Sequence, residues 1–320
     1  GVRLFDVLYL IKNNLQSWDQ FLSGWNTSNS SGLRYQTGRR VRLIQMLRSV
    51  YMLSPFLIKE VLEPSILASD ISSAGKTTND IRDAYAQCVG TSISMRTNSD
   101  DVTGMDTSTH KMQTGFITNI VIKYLAEARS SIGKFFIRDS NIVRVKHFHM
   151  LEDNTTIEDY EDITVVEAMV MLDNYSSNAP REYRAGFFSG KVYTSNISFE
   201  SGTYKTSIQH TRLLSAIYKY IRNIFELKYA KLGLKIIISV LGDDQFSYTI
   251  GIATDSHLLS IATEVRDKVT FILKKFGYIT DSTFERGFGE FLKQVAICGT
   301  IIPFSVRLPQ FSSERGEKGS

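Results

Sequence analysis

Two adjacent aspartates, Asp243 and Asp244, follow Gly242 near the middle of residues 234–252. Neighbouring carboxylates repel each other, and a divalent cation bound between them offsets that repulsion. Mg²⁺ prefers carboxylate oxygens, and two such ions stabilise the attacking and leaving oxygens of a phosphoryl transfer. Gly-Asp-Asp is also a common hairpin turn, so the metal interpretation requires further acidic residues elsewhere in the chain.

The residues on either side of this tripeptide predict a β-hairpin. Residues 236–241 are aliphatic or β-branched except for Ser239, and residues 246–252 alternate large apolar residues with small or polar ones. Gly242 permits a sharp turn between them. We therefore expect a buried strand, a turn that carries the two aspartates, and a returning strand.

A second pair of acids, Asp101 and Asp106, occurs in the sequence Asp-Val-Thr-Gly-Met-Asp. Residues 93–95 predict a short strand that leads into this segment. A strand end at Asp101 followed by a helix near Asp106 would place one carboxylate at a metal ion and the other at a bound ribose. The alternative is a helix N-terminus with acidic residues in its first turn.

Two amphipathic helices are predicted before and after the hairpin, the first running towards Leu232 and the second over residues 256–276. Ser201-Gly202 predicts a turn at the start of the first helix, where free backbone amides suit an anion. Thr206 and His210 are four residues apart and share one helical face. His210 is equally compatible with a histidine whose hydrogen bonds are satisfied in the core or at the surface.

Arginines are concentrated near the N-terminus, where Arg39, Arg40 and Arg42 follow Gly38 and no acidic residue occurs from Arg34 until Glu60. Guanidinium groups bind phosphates in a bidentate manner. The segment therefore predicts either a wall of a channel for phosphates or a solvated basic face.

The composition is that of a globular protein: 320 residues, 42% hydrophobic and 22% charged, with a net charge of +4. Its two cysteines, Cys88 and Cys298, have no metal-ligand spacing, which favours a reducing compartment. No stretch reaches the roughly 18 apolar residues of a membrane helix, so we expect no membrane partner. The chain starts inside a helical pattern without Met, which predicts a piece of a longer protein.

Taken in order, these motifs resemble the basic fingertip motif and motifs A, B and C of RNA-dependent RNA polymerases. Asp101-Val-Thr-Gly-Met-Asp106 resembles motif A of reovirus-type enzymes from double-stranded RNA viruses. Ser201-Gly-x3-Thr206-Ser-x2-His210 resembles motif B of the turreted reoviruses, and Glu290-Phe-Leu-Lys293 is similar to their motif E region. The resemblance extends from about residue 34 to residue 303.

The resemblance implies an α+β fold, the right-hand polymerase palm, in which an antiparallel sheet is backed by helices, together with part of the fingers. It also implies a division of the chain in which fingers and palm segments alternate. The expected segments are a fingers portion with the basic motif over 1–95, palm with motif A over 96–125, a fingers insertion over 126–198, palm with motifs B to E over 199–303, and the start of the thumb or a tail over 304–320.

The resemblance further implies a role for each candidate site residue. The catalytic, metal-binding acids would be Asp101, Asp243 and Asp244, with Mg²⁺ or Mn²⁺ as the cofactor. Contacts to the incoming nucleotide would come from Arg39, Arg40, Arg42, Asp106, Ser201, Gly202, Thr206 and His210. A possible general acid for the pyrophosphate would be Lys274 or Lys275. Many RNA polymerases carry Asn in place of His210, so the resemblance leaves the mechanism of sugar selection open.

The implied function is RNA-directed synthesis of RNA during transcription and replication of a double-stranded RNA genome. The expected partners are template and nascent RNA, nucleoside triphosphates and inner capsid proteins, and the expected location is the virion interior and the host cytoplasm. One alternative is an inactive palm-like module that binds nucleic acid or capsid protein, and it predicts the loss of a metal-binding acid. The other is a reverse transcriptase or DNA polymerase, which usually has an aromatic residue in place of Gly242 and lacks the Ser-Gly turn.

Overall fold

The structure is a computed structural model that describes part of the chain in detail. The described residues are 4–13, 15, 29–34, 42–46, 52, 55–56, 59, 62–64, 66–71, 95–110, 113, 120, 142–150, 156–164, 167, 181–185, 188–192, 204–285, 288–291, 294–297 and 300–302. Four of the predicted site residues lie outside these ranges: Arg39, Arg40, Ser201 and Gly202.

The described part of the chain contains both helices and strands. In order they are α1 (Leu4–Lys12), β1 (Asn29–Arg34), β2 (Arg42–Met46), β3 (Met95–Thr103), α2 (Met105–Ser108), β4 (Ile142–Met150), β5 (Thr156–Thr164), β6 (Arg181–Ala185), β7 (Phe188–Val192), α3 (Tyr204–Lys228), β8 (Lys235–Leu241), β9 (Asp244–Ile250), α4 (Asp255–Lys275), β10 (Ile279–Glu285), β11 (Phe288–Phe291), β12 (Gln294–Ile297) and β13 (Thr300–Ile301). A 3₁₀ turn, Ala230–Leu232, connects α3 to β8. Among these described helices, none is long and apolar enough to cross a membrane.

The chain forms two compact units. The first comprises Gly1–Arg34, Arg42–Leu62 and His110–Thr206. It contains a four-stranded sheet in the order β2-β1-β6-β7 and the separate antiparallel pair β4-β5. The pairing of β1 with β6 is parallel, whereas β1 pairs with β2 in the antiparallel direction. Arg42 stands opposite Arg34 in the latter pair, so the strand pairing brings two of the N-terminal arginines together.

The second unit comprises Tyr35–Val41, Glu63–Thr109 and Ser207–Ser320. Its main sheet has the order β10-β3-β9-β8, and all three strand pairs are antiparallel. A smaller antiparallel sheet of β11, β12 and β13 follows, and its first strand carries the first half of the segment that resembles motif E. The antiparallel sheet expected of a palm is therefore present in this unit.

Apolar side chains from α3, α4 and β8 form the core of the second unit. The buried face of β8 consists of Ile236, Ile238 and Val240, which alternate with more exposed residues as the pattern predicts. The same cluster includes Leu214 of α3 and Leu273 of α4. Burial of each such side chain contributes about 1.5–3 kcal/mol, so the two helices are fixed against the sheet.

The ends of α4 follow from its sequence. The hydroxyl of Thr254 accepts a hydrogen bond from the amide of His257, which caps the first turn. At the other end Gly277 has φ +85°, and its amide donates to the carbonyl of Lys274 while the amide of Tyr278 donates to that of Leu273. These two bonds define a Schellman motif. The helix predicted over 256–276 is thus confirmed, displaced by one residue at each end.

The strand that carries Asp101 is longer than the sequence predicts. The prediction of a short strand over 93–95 was wrong in extent, because β3 continues from Met95 to Thr103. Its polar residues gave no hydrophobic pattern, yet β3 lies between β9 and β10 and forms ladder hydrogen bonds on both sides. A central position in the sheet therefore outweighs the low strand propensity of Asn and Asp.

Candidate active site

The predicted hairpin is confirmed. Strands β8 and β9 pair in the antiparallel direction from Lys235 opposite Ile250 to Leu241 opposite Asp244. The turn consists of Gly242 and Asp243, and Gly242 has φ +63°, a left-handed conformation that a residue with a Cβ adopts only with strain. The glycine thus permits the turn that presents the two aspartates.

The sheet brings the distant acid Asp101 to this turn. In the pairing of β3 with β9, Asp101 lies directly opposite Asp244. The amide of the next residue, Val102, donates a hydrogen bond of 3.3 Å to the carbonyl oxygen of Asp243. Directly opposite residues lie on the same face of a sheet with Cβ atoms about 4.5–5.5 Å apart. Asp101 therefore occupies a backbone position next to Asp243 and Asp244, although it is far from both in sequence.

The surroundings of these carboxylates are partly solvated. Asp101 is exposed, and Asp243 and Asp244 are half-buried. On the other side of β3, Asp281 of β10 stands opposite Asp101 and is also exposed. Within the described part of the chain, no three His, Cys, Asp or Glu side chains are grouped closely enough to hold a metal ion. The strand register is therefore set, whereas the carboxylate oxygens are not gathered around one point.

A threonine of α3 holds the hairpin turn. The amide of Gly242 donates a hydrogen bond of 2.8 Å to the hydroxyl oxygen of Thr211, and that hydroxyl donates at 2.7 Å to the carbonyl of Ser207. Thr211 is fully buried. Because the hydroxyl both accepts and donates, it fixes the turn with Asp243 relative to the helix.

His210, beside Thr211, is a buried neutral histidine. Burial lowers the pKa of its imidazole to about 4, and the nearby carboxylate of Asp243 only partly opposes this effect. Its Nδ1 lies 3.6 Å from Oδ1 of Asp106, too far for a hydrogen bond. At neutral pH the two groups therefore do not form an ion pair.

A chain of polar contacts continues from His210 into the core. Its Nε2 lies 3.4 Å from the hydroxyl oxygen of Thr109, which is 3.0 Å from the phenolic oxygen of Tyr278. Thr109 also donates a hydrogen bond of 2.7 Å to the carbonyl of Met105. Thr109 and Tyr278 are both buried, so three separate segments of the second unit meet through polar groups.

Comparison with known proteins shows the family of the chain. Residues 9–282 match the family model described as the central polymerase domain of the CPV RNA-directed RNA polymerase. The chain belongs to this polymerase-domain family. The assignment agrees with the resemblance inferred from the motifs.

Curated relatives of the polymerase domain have similar names. The chain is 28% identical over 346 aligned positions to the RNA-directed RNA polymerase VP1 of Colorado tick fever virus (strain USA/Florio N-7180), covering 99% of the chain and 24% of that relative. It is 29% identical over 343 positions to VP1 of Cryphonectria parasitica mycoreovirus 1 (strain 9B21), covering 99% and 25%. The chain thus spans about a quarter of the length of these relatives.

Solved structures show the same fold. The BmCPV RNA-dependent RNA polymerase, determined in situ at the elongation state, superimposes with a TM-score of 0.66 at 20% identity, covering 94% of the chain and 24% of that protein. The same polymerase at the quiescent state gives a TM-score of 0.64 at 20% identity, covering 95% and 24%. The α+β palm-type fold predicted from the sequence is therefore confirmed.

The remaining predicted site residues of the polymerase domain lie in several places. Thr206 is buried near the start of α3, as is His210, which agrees with the prediction that the two residues share one helical face. Arg42 begins β2 in the first unit. Lys274 and Lys275 occupy the last turn of α4 and are exposed, and Nζ of Lys275 lies 5.3 Å from the centroid of the Phe271 ring.

Sequence reasoning missed three residues of the site: Thr109, Thr211 and Tyr278. Thr211 follows His210 directly, and its position one turn after Ser207 was the available signal. Tyr278 is 169 positions from Thr109. No local pattern relates two residues so far apart, so only the fold reveals their contact.

Proposed function

We propose that this chain is the palm and part of the fingers of a viral RNA-dependent RNA polymerase that transcribes and replicates a double-stranded RNA genome. The observation that carries the proposal is the register that sets Asp101 opposite Asp244 and next to the Gly242-Asp243 turn. Membership of the polymerase-domain family supports it. The presence of all three acids argues against the inactive module, and Gly242 argues against a reverse transcriptase.

Asp101, Asp243 and Asp244 would hold two Mg²⁺ or Mn²⁺ ions. Their carboxylates suit hard divalent cations, and rotation about χ1 and χ2 moves the oxygens of an aspartate without a change in the backbone. Without an ion the like charges repel. When bound, the metal ions favour deprotonation of the primer 3′-hydroxyl and stabilise the negative charge of the triphosphate. The strand register and the Thr211 contact keep the three backbone positions adjacent.

The incoming nucleotide would be bound by its ribose and its phosphates. Asp106 and His210, with Thr206, Ser201 and Gly202, would contact the ribose, whose 2′-hydroxyl distinguishes RNA from DNA. Phosphates of the nucleotide and of the template backbone would bind Arg39, Arg40 and Arg42, because guanidinium groups match phosphate geometry. Lys274 or Lys275 would donate a proton to the leaving pyrophosphate.

The proposed segments follow the division predicted from the sequence, with palm over 96–125 and 199–303, fingers over 1–95 and 126–198, and the start of the thumb or a tail over 304–320. The acids of the site come from β3 and from the β8–β9 hairpin, which belong to the palm segments in this division. The partners of the complete protein would be template and nascent RNA, nucleoside triphosphates and inner capsid proteins. It would act in the virion interior and in the host cytoplasm.

The direct test is Asp243→Ala in the complete polymerase. Nucleotide incorporation should fall by at least about a thousandfold, since a group that acts in the chemical step is removed. RNA binding should change little, because contacts to phosphates dominate it. Primer extension on a defined template, together with filter binding of the same RNA, measures both quantities.

Asp267→Ala provides the control. Asp267 is an exposed aspartate of α4 that pairs with Arg266 on the surface, and its replacement should leave incorporation unchanged. Retained synthesis in Asp243→Ala would remove Asp243 from the catalytic role. Loss of RNA binding in parallel with synthesis would show a structural defect instead.

A further inference from the structure

Three elements of the second unit converge on one buried hydroxyl, that of Thr109. Thr109 follows α2, His210 lies on α3, and Tyr278 follows α4. Their exposed fractions are 3%, 4% and 2%. Polar groups at such depth cost free energy unless they are hydrogen-bonded, so their mutual contacts require an explanation.

The single proton of the Thr109 hydroxyl determines the direction of the other bonds. Thr109 donates that proton to the carbonyl of Met105 at 2.7 Å, the shortest of its contacts. Its two lone pairs then accept from Tyr278, at 3.0 Å, and from Nε2 of His210, at 3.4 Å. The proton of the neutral imidazole therefore lies on Nε2, and Nδ1 carries the lone pair.

The position of Tyr278 is fixed independently of this contact. The Schellman motif at the end of α4 binds the amide of Tyr278 to the carbonyl of Leu273 at 3.0 Å. Both side chains are buried in the core cluster. Burial also raises the pKa of the Tyr278 phenol, so it remains protonated and able to donate. Tyr278 is thus a rigid donor aimed at Thr109.

On the other side of the ring, Nδ1 of His210 faces the carboxylate of Asp106 at 3.6 Å. A lone pair and a carboxylate oxygen are both hydrogen-bond acceptors. Two acceptors held side by side match a ligand that presents hydroxyl donors. A ribose offers such donors at its 2′ and 3′ positions, whereas a 2′-deoxyribose lacks the first.

We propose that Thr109 and Tyr278 are positioning residues for sugar selection: they hold His210 in the Nε2-protonated tautomer, so that Nδ1 and Asp106 present paired acceptors to the hydroxyls of a ribonucleoside triphosphate. The proposal rests on the polymerase function proposed above. In this proposal Tyr278, which follows α4, affects recognition of the sugar without touching it.

Nucleotides modified at the 2′ position test the tautomer in the complete polymerase. With CTP, 2′-amino-CTP, 2′-fluoro-CTP and 2′-deoxy-CTP as probes, the wild-type protein should incorporate the two that can donate a hydrogen bond. It should discriminate against 2′-fluoro-CTP about as strongly as against 2′-deoxy-CTP, because fluorine accepts but cannot donate. Incorporation of 2′-fluoro-CTP as efficiently as CTP would overturn the proposal, since Nδ1 would then be the donor.

Two variants test the positioning residues. Tyr278→Phe and Thr109→Val should each lower the ratio of kcat/KM for CTP over 2′-deoxy-CTP by about tenfold, the effect of one lost hydrogen bond. Incorporation of CTP at saturation should fall less than about threefold in Tyr278→Phe. Thr109→Ser restores the hydroxyl and should recover the ratio, which a loss of packing alone would not predict.

Tyr218→Phe is the matched control. Tyr218 is as buried as Tyr278, and it lies on α3 about 12 Å from His210 along the helix axis. The ratio of kcat/KM for CTP over 2′-deoxy-CTP in Tyr218→Phe should equal that of the wild type. A wild-type ratio in both Tyr278→Phe and Thr109→Val would overturn the proposal while leaving the polymerase function intact. Failure of the wild-type protein to incorporate CTP would instead contradict the proposed function itself.

Discussion

The two ends of α3 bury different kinds of side chain. Near its start the buried residues are mostly polar: Thr206, Gln209, His210 and Thr211, together with the apolar Ile208. From Leu214 onwards they are apolar: Leu214, Ile217, Tyr218, Ile221 and Phe225. The first group lies beside the candidate active site and the second in the core cluster. One helix therefore has two kinds of buried surface, separated by a single turn.

The two groups are stabilised by different forces. Apolar burial is nondirectional and tolerates small displacements. Buried polar groups depend on partners at defined distances, as Thr211 does with Gly242 at 2.8 Å. Substitutions at the apolar end should therefore act mainly on stability, and substitutions at the polar end should act mainly on the chemistry.

The largest effect is expected for Leu214→Ala. Leu214 is fully buried in the core cluster, and truncation leaves a cavity that costs about 3 kcal/mol, within a range of roughly 2–5. Hydrogen exchange of the α3 amides in the complete polymerase should accelerate by about a hundredfold, the factor that corresponds to 2.7 kcal/mol.

The rate of nucleotide incorporation per folded molecule should change less than about threefold in Leu214→Ala. Leu214→Met is the matched control, because it nearly conserves the volume and should cost less than about 1.5 kcal/mol. If Leu214→Ala lowered the rate as strongly as a change in the polar end, the two ends of α3 would not be separable.

Thr211→Val is expected to have the next largest effect, this time on the chemistry. Valine has a similar shape but leaves the buried amide of Gly242 without the acceptor it has at 2.8 Å. A buried donor deprived of its partner costs about 1–3 kcal/mol. The turn that carries Asp243 then loses its fixed position relative to α3.

Steady-state primer extension should show a decrease in kcat of about 10- to 100-fold for Thr211→Val, with a smaller change in KM for the nucleotide. Thr211→Ser restores the hydroxyl and should recover most of the rate. An unchanged kcat in Thr211→Val would mean that the turn is held without this bond, and the proposed role of the polar end would be wrong.

The comparison also explains how much could be predicted from the sequence. The β8–β9 hairpin and α4 were predicted because their hydrophobic patterns and turn residues are local. The pairing of Asp101 with the hairpin was expected only from the order of the motifs, since strand register depends on the whole sheet. The contact between the hydroxyls of Thr109 and Tyr278 was not predicted, because a contact across 169 positions leaves no periodic signal in the sequence.

Burial of polar residues was equally hard to predict. Gln245, Ser247 and Thr249 alternate with apolar residues on β9, a pattern typical of a strand with one solvated face. All three are buried, because they stand opposite Val240, Ile238 and Ile236 of β8 and share the face of the sheet that forms the core. Ile252, predicted to continue the strand, lies beyond its end and is 78% exposed. The pattern predicted the strand but not its environment.

The smallest expected effect is a dependence of stability on pH that originates at His210. Burial lowers the pKa of its imidazole to about 4 in the folded protein, whereas an unfolded histidine titrates near pH 6.5, roughly the model-peptide value. Above that pH the ring is neutral in both states and contributes no dependence. As the pH falls below it, only the unfolded state binds the proton, so the folded state loses stability progressively until about pH 4.

At pH 5.5 this loss amounts to about 1 kcal/mol, and His210→Gln should abolish it. The measurement is the apparent Tm of the complete polymerase and of His210→Gln between pH 7.5 and 5.0. The difference between them should be constant down to about pH 6.5 and should then shift in favour of the variant. A shift in favour of the wild type would mean that the folded protein binds the proton more tightly. In that case His210 would form an ion pair with Asp106 at 3.6 Å, and the paired acceptors at the polar end of α3 would not exist.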